Sequence, residues 1–240
     1  MKKTILYMLL GTSIWAQAQT VTTERQKSAE PILATLDSLT QALHNHGFLK
    51  NAEFIQADQL DFNSGDLPNY PGTLIQSRMN SLGSEIALEY NSYVKGFLDL
   101  YGVRKRDLTA KMLGLSDYYF PIYEEILDRN NLPLELKYLS VVESALNPKA
   151  TSWAGASGPW QFIYSTGVRY GLTINSYVDE RRDIYKSTQA ACDYFKDSYA
   201  LYGDWLLVIA SYNCGPGNVN KAIRRAGGSK NFWEIQKFLP

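Results

Sequence analysis

The chain has 240 residues, of which 45% are hydrophobic and 20% are charged, so one or two domains with a substantial core are expected and wholesale disorder is excluded. Basic and acidic residues both number 24, and the formal net charge of +0 argues against a broad basic face for nucleic acid. The 17 tyrosines combine an apolar ring with a polar tip, which suits wet clefts and sugar rings or, equally, a polar aromatic core.

The N-terminus has the pattern of a secretory signal. Lys2 and Lys3 precede an apolar run over residues 5–15, and the small-residue site Ala16-Gln17-Ala18 follows. We therefore assign residues 1–18 to a signal peptide and leave them out of the fold, with an uncleaved anchor as the alternative. The run is short for a bilayer span, and no later stretch is long and apolar enough, so an exported, soluble product without a bilayer-spanning segment is predicted.

The remaining chain is predicted to be all-α, with an N-terminal helical and linker region over residues 19–80 and one domain over residues 81–240, whose core is about 118–226. Apolar residues recur at helical spacing over most of this length, and strand-like alternation is scarce. The predicted helices, in chain order, cover residues 32–43, 86–101, 108–113, a segment capped by Ser116, a segment starting at Pro133, 161–170, 184–202, 205–212 capped by Asp204, and two short final segments. Turn-forming residues mark a linker at 63–72, a loop at 147–158 and a break at 213–217.

Cysteine and histidine provide no evidence of a metal or cofactor site. His44 and His46 point to different sides of a helix and have no partners at ligand spacing, so no metal is expected. The Gly-Pro-Gly at 215–217 lacks the context of a phosphate loop, and no cofactor is predicted. Cys192 and Cys214 could pair in an oxidising compartment, but the sequence leaves both states open.

Glu143 is the candidate acid. It follows Leu139-Ser-Val-Val142 at the C-terminal end of an apolar helix, where partial burial and the negative helix end would both raise its pKa. A carboxylic acid that stays protonated near neutral pH can donate a proton to a leaving oxygen. The alternative from position alone is an ordinary glutamate on the exposed rim of the helix.

Four short motifs follow one another at characteristic intervals. They are Glu143-Ser144, the Gly-x-x-Gln element from Gly158 to Gln161, the run Asp179-Glu-Arg-Arg-Asp183 and the Tyr-Asn-x-Gly-x-Gly element starting at Tyr212. Through this ordered set, over about residues 130–225, the chain resembles the lysozyme-like family-1 lytic transglycosylases, and most of all the membrane-bound lytic murein transglycosylase D group. The resemblance implies a goose-type lysozyme-like catalytic domain, and residues 85–130 resemble the helical region that precedes it.

The resemblance also implies an activity on the glycan strands of bacterial peptidoglycan in the periplasm or cell envelope. The β-1,4 bond between N-acetylmuramic acid and N-acetylglucosamine would be cleaved without water and without a cofactor. Glu143 would act as acid and then as base, and the C6 hydroxyl of the muramic acid would attack C1 to give a 1,6-anhydro end. The loop from Ser144 to Ile163 contains no Asp or Glu, which fits a mechanism with one carboxylate better than the usual glycosidase pair.

Five further site residues are implied by match to the family motifs. Ser152 would contact the sugar, and Gln161 would line the cleft with an amide that both donates and accepts. Ile163 takes a place often held by Met and would bind substrate through its backbone. Tyr212 would hold Glu143 or the substrate N-acetyl group, and Asn213 would order the adjacent turn or bind substrate.

Several alternatives stay open at the level of sequence. The chain could be a hydrolytic muramidase on the same fold, which would need a second acidic group, or a non-catalytic protein that binds cell-wall glycan. Gln161 could simply cap a helix and Tyr212 could be a core tyrosine. Arg181 and Arg182 are interpreted as structural partners of nearby acids rather than catalytic groups. Protein partners are not specified by any motif.

Overall fold

Helices form the regular structure of residues 70–240, the part of the chain that this computed structural model describes. The α-helices, in chain order, are α1 (Gly72–Ser81), α2 (Ser92–Asp99), α3 (Arg106–Arg129), α4 (Lys137–Ser144), α5 (Tyr164–Arg169), α6 (Ile184–Tyr202), α7 (Trp205–Cys214), α8 (Pro216–Arg225) and α9 (Phe232–Ile235). A π-helical turn, three short 3₁₀ helices and isolated β-bridges accompany them, and residues 70–240 contain no β-strand, so the predicted all-α class is confirmed. The predicted signal peptide, the helix at 32–43 and the two histidines lie outside the described residues.

The first predicted helix of this range is wrong over its first half. Residues 82–91 are not helical, and α2 begins only at Ser92, because the Asn91 side chain accepts hydrogen bonds from the backbone N–H groups of Tyr93 and Val94. Gly102 does not end the helical path either. The chain continues through it as a π-helical turn, Leu100–Arg104, directly before α3.

The long helix α3 replaces two predicted shorter ones. Ser116 does not cap a new helix, because its hydroxyl donates to the Leu113 carbonyl 2.6 Å away inside one continuous helix. Pro121 also lies within it, although proline removes a backbone donor and crowds the preceding turn. The helix persists because one face is buried over its whole length: Leu108, Met112, Tyr119, Tyr123, Ile126 and Leu127.

The main core forms around Trp160, which is fully buried although it belongs to a loop. Its ring lies between Tyr123 of α3 and Phe195 of α6, with centroid distances of 5.2 and 5.9 Å. The indole N–H donates to the Thr188 hydroxyl at 2.9 Å, so the polar atom of this large side chain is satisfied in the interior. The loop is thereby anchored in the middle of the helical packing.

The C-terminal half follows the predicted order of elements. Helix α6 has the predicted bounds, with Asp183 capping its start and Gly203, at φ +68°, ending it. Asp204 caps α7 as predicted, by accepting from the backbone N–H of Leu207 at 2.9 Å. The predicted break at 213–217 is shorter than expected, because α7 continues to Cys214 and α8 starts with Pro216, so only Gly215, at φ +82°, interrupts the helices.

Helices α7, α8 and α9 share a second, smaller core with the C-terminal end of α6. It consists of Tyr202, Leu207, Ala210, Val219, Ala222 and Ile235. Cys192 and Cys214 are both free thiols, which answers for this structure the pairing that the sequence left open. Between residues 70 and 240, every helix is too short or too polar to cross a bilayer.

Candidate active site

Glu143 lies in the last turn of α4 and is partly buried. Burial raises the pKa of its carboxyl from 4.5 to about 7, as the position at the end of an apolar helix predicted. Within the described part of the chain, no side chain or backbone group forms a hydrogen bond or ion pair with this carboxyl. An acid in these surroundings holds its proton close to neutral pH and is free to give it to a ligand.

The helix ends abruptly after Ser144, one residue beyond Glu143. Ala145 and Leu146 adopt left-handed backbone conformations, with φ of +52° and +62°, and both are completely buried. Such conformations are unfavourable for residues other than glycine and persist where the surrounding packing enforces them. The chain therefore turns into the core directly behind the candidate acid.

Two serines join α4 to the loop that carries Gln161. The hydroxyls of Ser140 and Ser144 both donate to the carbonyl oxygen of Pro159, at 3.0 and 2.9 Å, and both serines are completely buried. They lie one turn apart on the same face of the helix, and Ser144 directly follows Glu143. Ser144 of the Glu-Ser motif thus links helix α4, which carries Glu143, to the neighbouring loop by a hydrogen bond.

The loop backbone approaches its neighbours too closely for an ordinary side chain at Gly158. This residue has φ of +84°, and a Cβ there would lie 1.7 Å from the carbonyl oxygen of Arg181. Gln161 also adopts a left-handed conformation, at φ +51°. Its side-chain amide nitrogen donates to the backbone carbonyls of Ala150 and Gly158, at 3.2 and 2.8 Å. The helix predicted from residue 161 is therefore wrong in its first turn, and α5 starts only at Tyr164.

Arg181 and Arg182 brace the other side of this loop. Arg181 forms an ion pair with Asp179 at 2.7 Å and also donates to the carbonyls of Gly155 and Phe162, at 2.8 and 3.1 Å. Arg182 donates to the hydroxyl of Ser157 at 3.0 Å. The structural interpretation of these arginines is supported, although the bonds of Arg182 go to hydroxyl groups rather than to an acid.

Tyr212 enters the site from α7. Burial, and next the nearby Glu143 carboxylate, raise the pKa of its hydroxyl well above 10. The hydroxyl donates to the carbonyl oxygen of Trp160 at 2.6 Å, and the ring contacts Phe162 and Tyr194 edge-on, at centroid distances of 6.0 and 5.0 Å. The hydroxyl proton of Tyr212 is therefore used in the hydrogen bond to the loop, while the hydroxyl oxygen can still accept a hydrogen bond.

Glu143, the Gln161 loop and Tyr212 are thus brought together, while the other predicted residues lie at the surface. Ser152 is exposed, and its hydroxyl oxygen accepts from the backbone N–H of Ala156 at 3.1 Å. Ile163 is 46% exposed at the start of α5. Asn213 is exposed and its side chain forms no hydrogen bond with a described residue, while Asn218 holds the adjacent turn by donating to the Cys214 carbonyl at 2.8 Å.

Sequence reasoning missed Ser140 and Tyr194. Ser140 could have been found from its position four residues before Ser144, since both then face the same side of a helix. Tyr194 donates to the Ser211 carbonyl at 2.7 Å and packs against Tyr212, a contact between two helices that no local signal indicates. No group of three potential metal ligands occurs among residues 70–240.

Comparisons with known proteins agree with this geometry. Residues 120–235 match the family model of the "Transglycosylase SLT domain". Over 111 residues, 45% of this chain, it is 46% identical to "Membrane-bound lytic murein transglycosylase D" of Escherichia coli K12, and equally to the protein of that name from E. coli O6:H1. Over 134 residues, 55% of the chain, it is 31% identical to a "Putative tributyltin chloride resistance protein" of an Alteromonas species.

The chain matches only part of each of these relatives. It covers 25% of the length of the two Escherichia coli proteins and 64% of the Alteromonas protein. The matched range of the family model, 120–235, contains Glu143, the Gln161 loop and Tyr212. Residues 120–235 of this chain are therefore similar to transglycosylase SLT domains, in agreement with the resemblance that the sequence motifs carry.

Proposed function

We propose that this protein is a peptidoglycan lytic transglycosylase that cleaves the β-1,4 bond between N-acetylmuramic acid and N-acetylglucosamine. The observation that carries the proposal is Glu143, an unpaired carboxyl with a pKa raised to about 7 by burial, beside Tyr212 and the Gln161 loop. The family of the domain and the printed names of the Escherichia coli relatives support the same reaction on murein.

The reaction needs two proton transfers by one group. Protonated Glu143 gives its proton to the bridging oxygen, so the bond from that oxygen to C1 breaks and N-acetylglucosamine leaves with a hydroxyl. The Glu143 carboxylate then accepts the proton of the muramic acid C6 hydroxyl as that oxygen forms a bond to C1. The product is a 1,6-anhydro end, and the enzyme recovers its protonated acid without consuming water.

A pKa of about 7 suits this double role. An acid with a much lower pKa would already be ionised at neutral pH, and one with a much higher pKa would give a reluctant donor and a carboxylate that rarely forms. The attacking hydroxyl belongs to the same sugar as C1, so its effective concentration is high and no group is needed to hold a water molecule.

The surroundings of Glu143 favour this reaction over hydrolysis. The loop between Ser144 and Ile163 contains no acid. The next acid, Asp179, has its carboxylate occupied by Arg181, which holds the pKa of Asp179 below its usual range. A two-carboxylate hydrolase would need a second acidic group that is free to position water or attack the sugar.

The proposed substrate contacts are the residues that match the family motifs. Gln161 keeps its side-chain oxygen available as an acceptor, since both bonds to the loop are made by its nitrogen. Ser152 can donate its hydroxyl proton, and Asn213 offers a free amide. The backbone of Ile163 and the hydroxyl oxygen of Tyr212 complete the proposed set.

We further propose that the protein works in the cell envelope after export directed by residues 1–18. In this proposal residues 81–240 act as the catalytic domain, with a core at 118–226, and residues 19–80 form an N-terminal extension. The proposed binding partner is the substrate itself, the glycan strands of peptidoglycan. No cofactor takes part in the proposed reaction.

Mass spectrometry of the material released from purified sacculi tests the function. Wild-type protein should release products with 1,6-anhydro ends, and Glu143→Gln should lower the rate by at least about a hundredfold while it keeps the fold and glycan binding. Glu125→Gln, at an exposed position on α3, is the matched control and should keep wild-type turnover. Reducing ends would instead identify a muramidase, and binding without release would identify a glycan-binding protein.

A further inference from the structure

Trp153 is the most exposed large hydrophobic residue of the described chain. Its side chain is 101% exposed, as in an extended peptide, whereas Trp160, seven residues later, is completely buried. An indole in water gives up a large part of the free energy that burial of a tryptophan side chain provides. A fully exposed tryptophan near a candidate active site offers a flat apolar surface that a ligand can cover.

The turn that carries Trp153 is held by an ordered set of hydrogen bonds. The Ser152 carbonyl accepts from the backbone N–H of Gly155 at 3.0 Å, and the backbone N–H of Ser152 donates to the Ala156 carbonyl at 2.9 Å. Arg181 donates to the Gly155 carbonyl at 2.8 Å from behind. The backbone that carries the indole is thus held by hydrogen bonds, so this turn loses less conformational entropy when a ligand packs against the ring.

The turn is the tip of a short hairpin whose base adjoins Glu143. At the base, the backbone N–H of Gly158 donates to the Ala150 carbonyl at 2.9 Å, next to the Pro159 carbonyl that Ser144 holds. Residue 153 lies three positions beyond residue 150 towards the tip. Because an extended chain spans about 3.3 Å per residue at most, the backbone of Trp153 lies within about 10 Å of that base.

The surface around Trp153 is partly aromatic, and the exposed Arg182 lies against the same hairpin, where it donates to the hydroxyls of Thr151 and Ser157. Ser157 pairs with both Thr151 and Phe162, so the segment leading to the exposed side chains of Ile163 and Tyr164 runs beside the hairpin. A Cβ at Gly155 would meet nothing within 4 Å, so the space beside the indole is open. The nearby Arg181 is occupied by Asp179 and by backbone carbonyls, so it presents no free charge there.

We propose that Trp153 is a stacking platform for a sugar ring of the glycan strand, outside the pair of rings joined at Glu143. A pyranose ring presents a flat face of C–H groups to an aromatic ring and keeps its hydroxyls in water, and this chemistry matches a lone exposed indole. The inference rests on the proposed glycan substrate, because a linear strand bound at Glu143 continues past the hairpin.

Binding measurements in the inactive Glu143→Gln protein test the platform. Chitohexaose, a soluble chain of six N-acetylglucosamine rings, is titrated by calorimetry and compared with chitobiose, which has two rings. When the Glu143→Gln protein retains Trp153, it should bind the hexamer more tightly than the dimer. Trp153→Ala should weaken hexamer binding by about tenfold and reduce the advantage of the hexamer, whereas Trp153→Phe should keep most of it.

Tyr177→Ala is the matched control, because Tyr177 is also an almost fully exposed aromatic residue but lies outside the hairpin. An unchanged hexamer affinity in Trp153→Ala overturns the platform, and so does an equal loss in Tyr177→Ala, which would mean unspecific adhesion. The outcome is separate from the test of function. Anhydro products together with an unaffected Trp153→Ala variant would contradict the platform alone, and absent anhydro products together with a tenfold loss would contradict the reaction alone.

Discussion

Glu143→Gln should stabilise the folded protein above about pH 4.5, with the full effect above about pH 7. Burial raises the carboxyl pKa from 4.5 to about 7 in the native state, whereas the unfolded chain keeps the ordinary value. Below pH 4.5 the group is protonated in both states and contributes nothing. Above pH 7 it is ionised in both states, and only the native state bears the unfavourable burial of the charge.

The magnitude follows from the two pKa values. Each tenfold difference in proton affinity corresponds to about 1.4 kcal/mol, so ionisation of Glu143 lowers the free energy of unfolding by up to about 3 kcal/mol. The loss develops with rising pH between 4.5 and about 7. Glutamine has the same shape and no charge, so it should escape this loss.

Urea unfolding of wild type and Glu143→Gln from pH 4 to pH 8 measures the difference. We expect curves that nearly coincide at pH 4 and a variant more stable by about 2–3 kcal/mol at pH 8, with the gap opening between them. Glu125→Gln should show no comparable gap, since Glu125 is exposed. A constant difference over the whole range, or a variant less stable at pH 8, would refute the burial of an unpaired acid.

Two further predictions concern the loop. Ser140→Ala or Ser144→Ala alone should lower the free energy of unfolding by about 1 kcal/mol. The double variant should lower it by more than the sum, because the Pro159 carbonyl then loses both donors. Strictly additive values from a double-mutant cycle would contradict this. Gly158→Ala should lower the melting temperature by many degrees or prevent folding, since its Cβ would meet the Arg181 carbonyl at 1.7 Å, and a variant as stable as wild type would contradict that contact.

Local signals predicted those parts of the fold whose ends are defined by neighbouring residues. Helix α6 has its cap at Asp183 and its end at Gly203 in the sequence itself, so its bounds could be given in advance. Helix α3 could not, because its continuity through Ser116 and Pro121 depends on a face buried against distant helices. Long-range packing there overrides the local tendency to break.

The candidate site divides in the same way. The raised pKa of Glu143 follows from an apolar helix end and could be anticipated. The conformation of Gln161 could not, since its left-handed backbone and its bonds to Ala150 and Gly158 arise only when residues 150 and 158 meet. Tyr212 was assigned by motif, yet the destination of its proton, the Trp160 carbonyl, depends on a contact 52 positions away in the chain.

Two consecutive peptide carbonyls connect helices α4 and α7. The carbonyl of residue 159 is held by Ser144 from α4, and that of residue 160 by Tyr212 from α7, while the Trp160 indole is locked in the interior. The distance between the two helices is consequently set by the backbone geometry of residues 159 and 160 and not by the packing of flexible side chains. A substrate must therefore conform to a spacing that is set before it arrives, and a shift of either helix would be transmitted to the other through a single dipeptide.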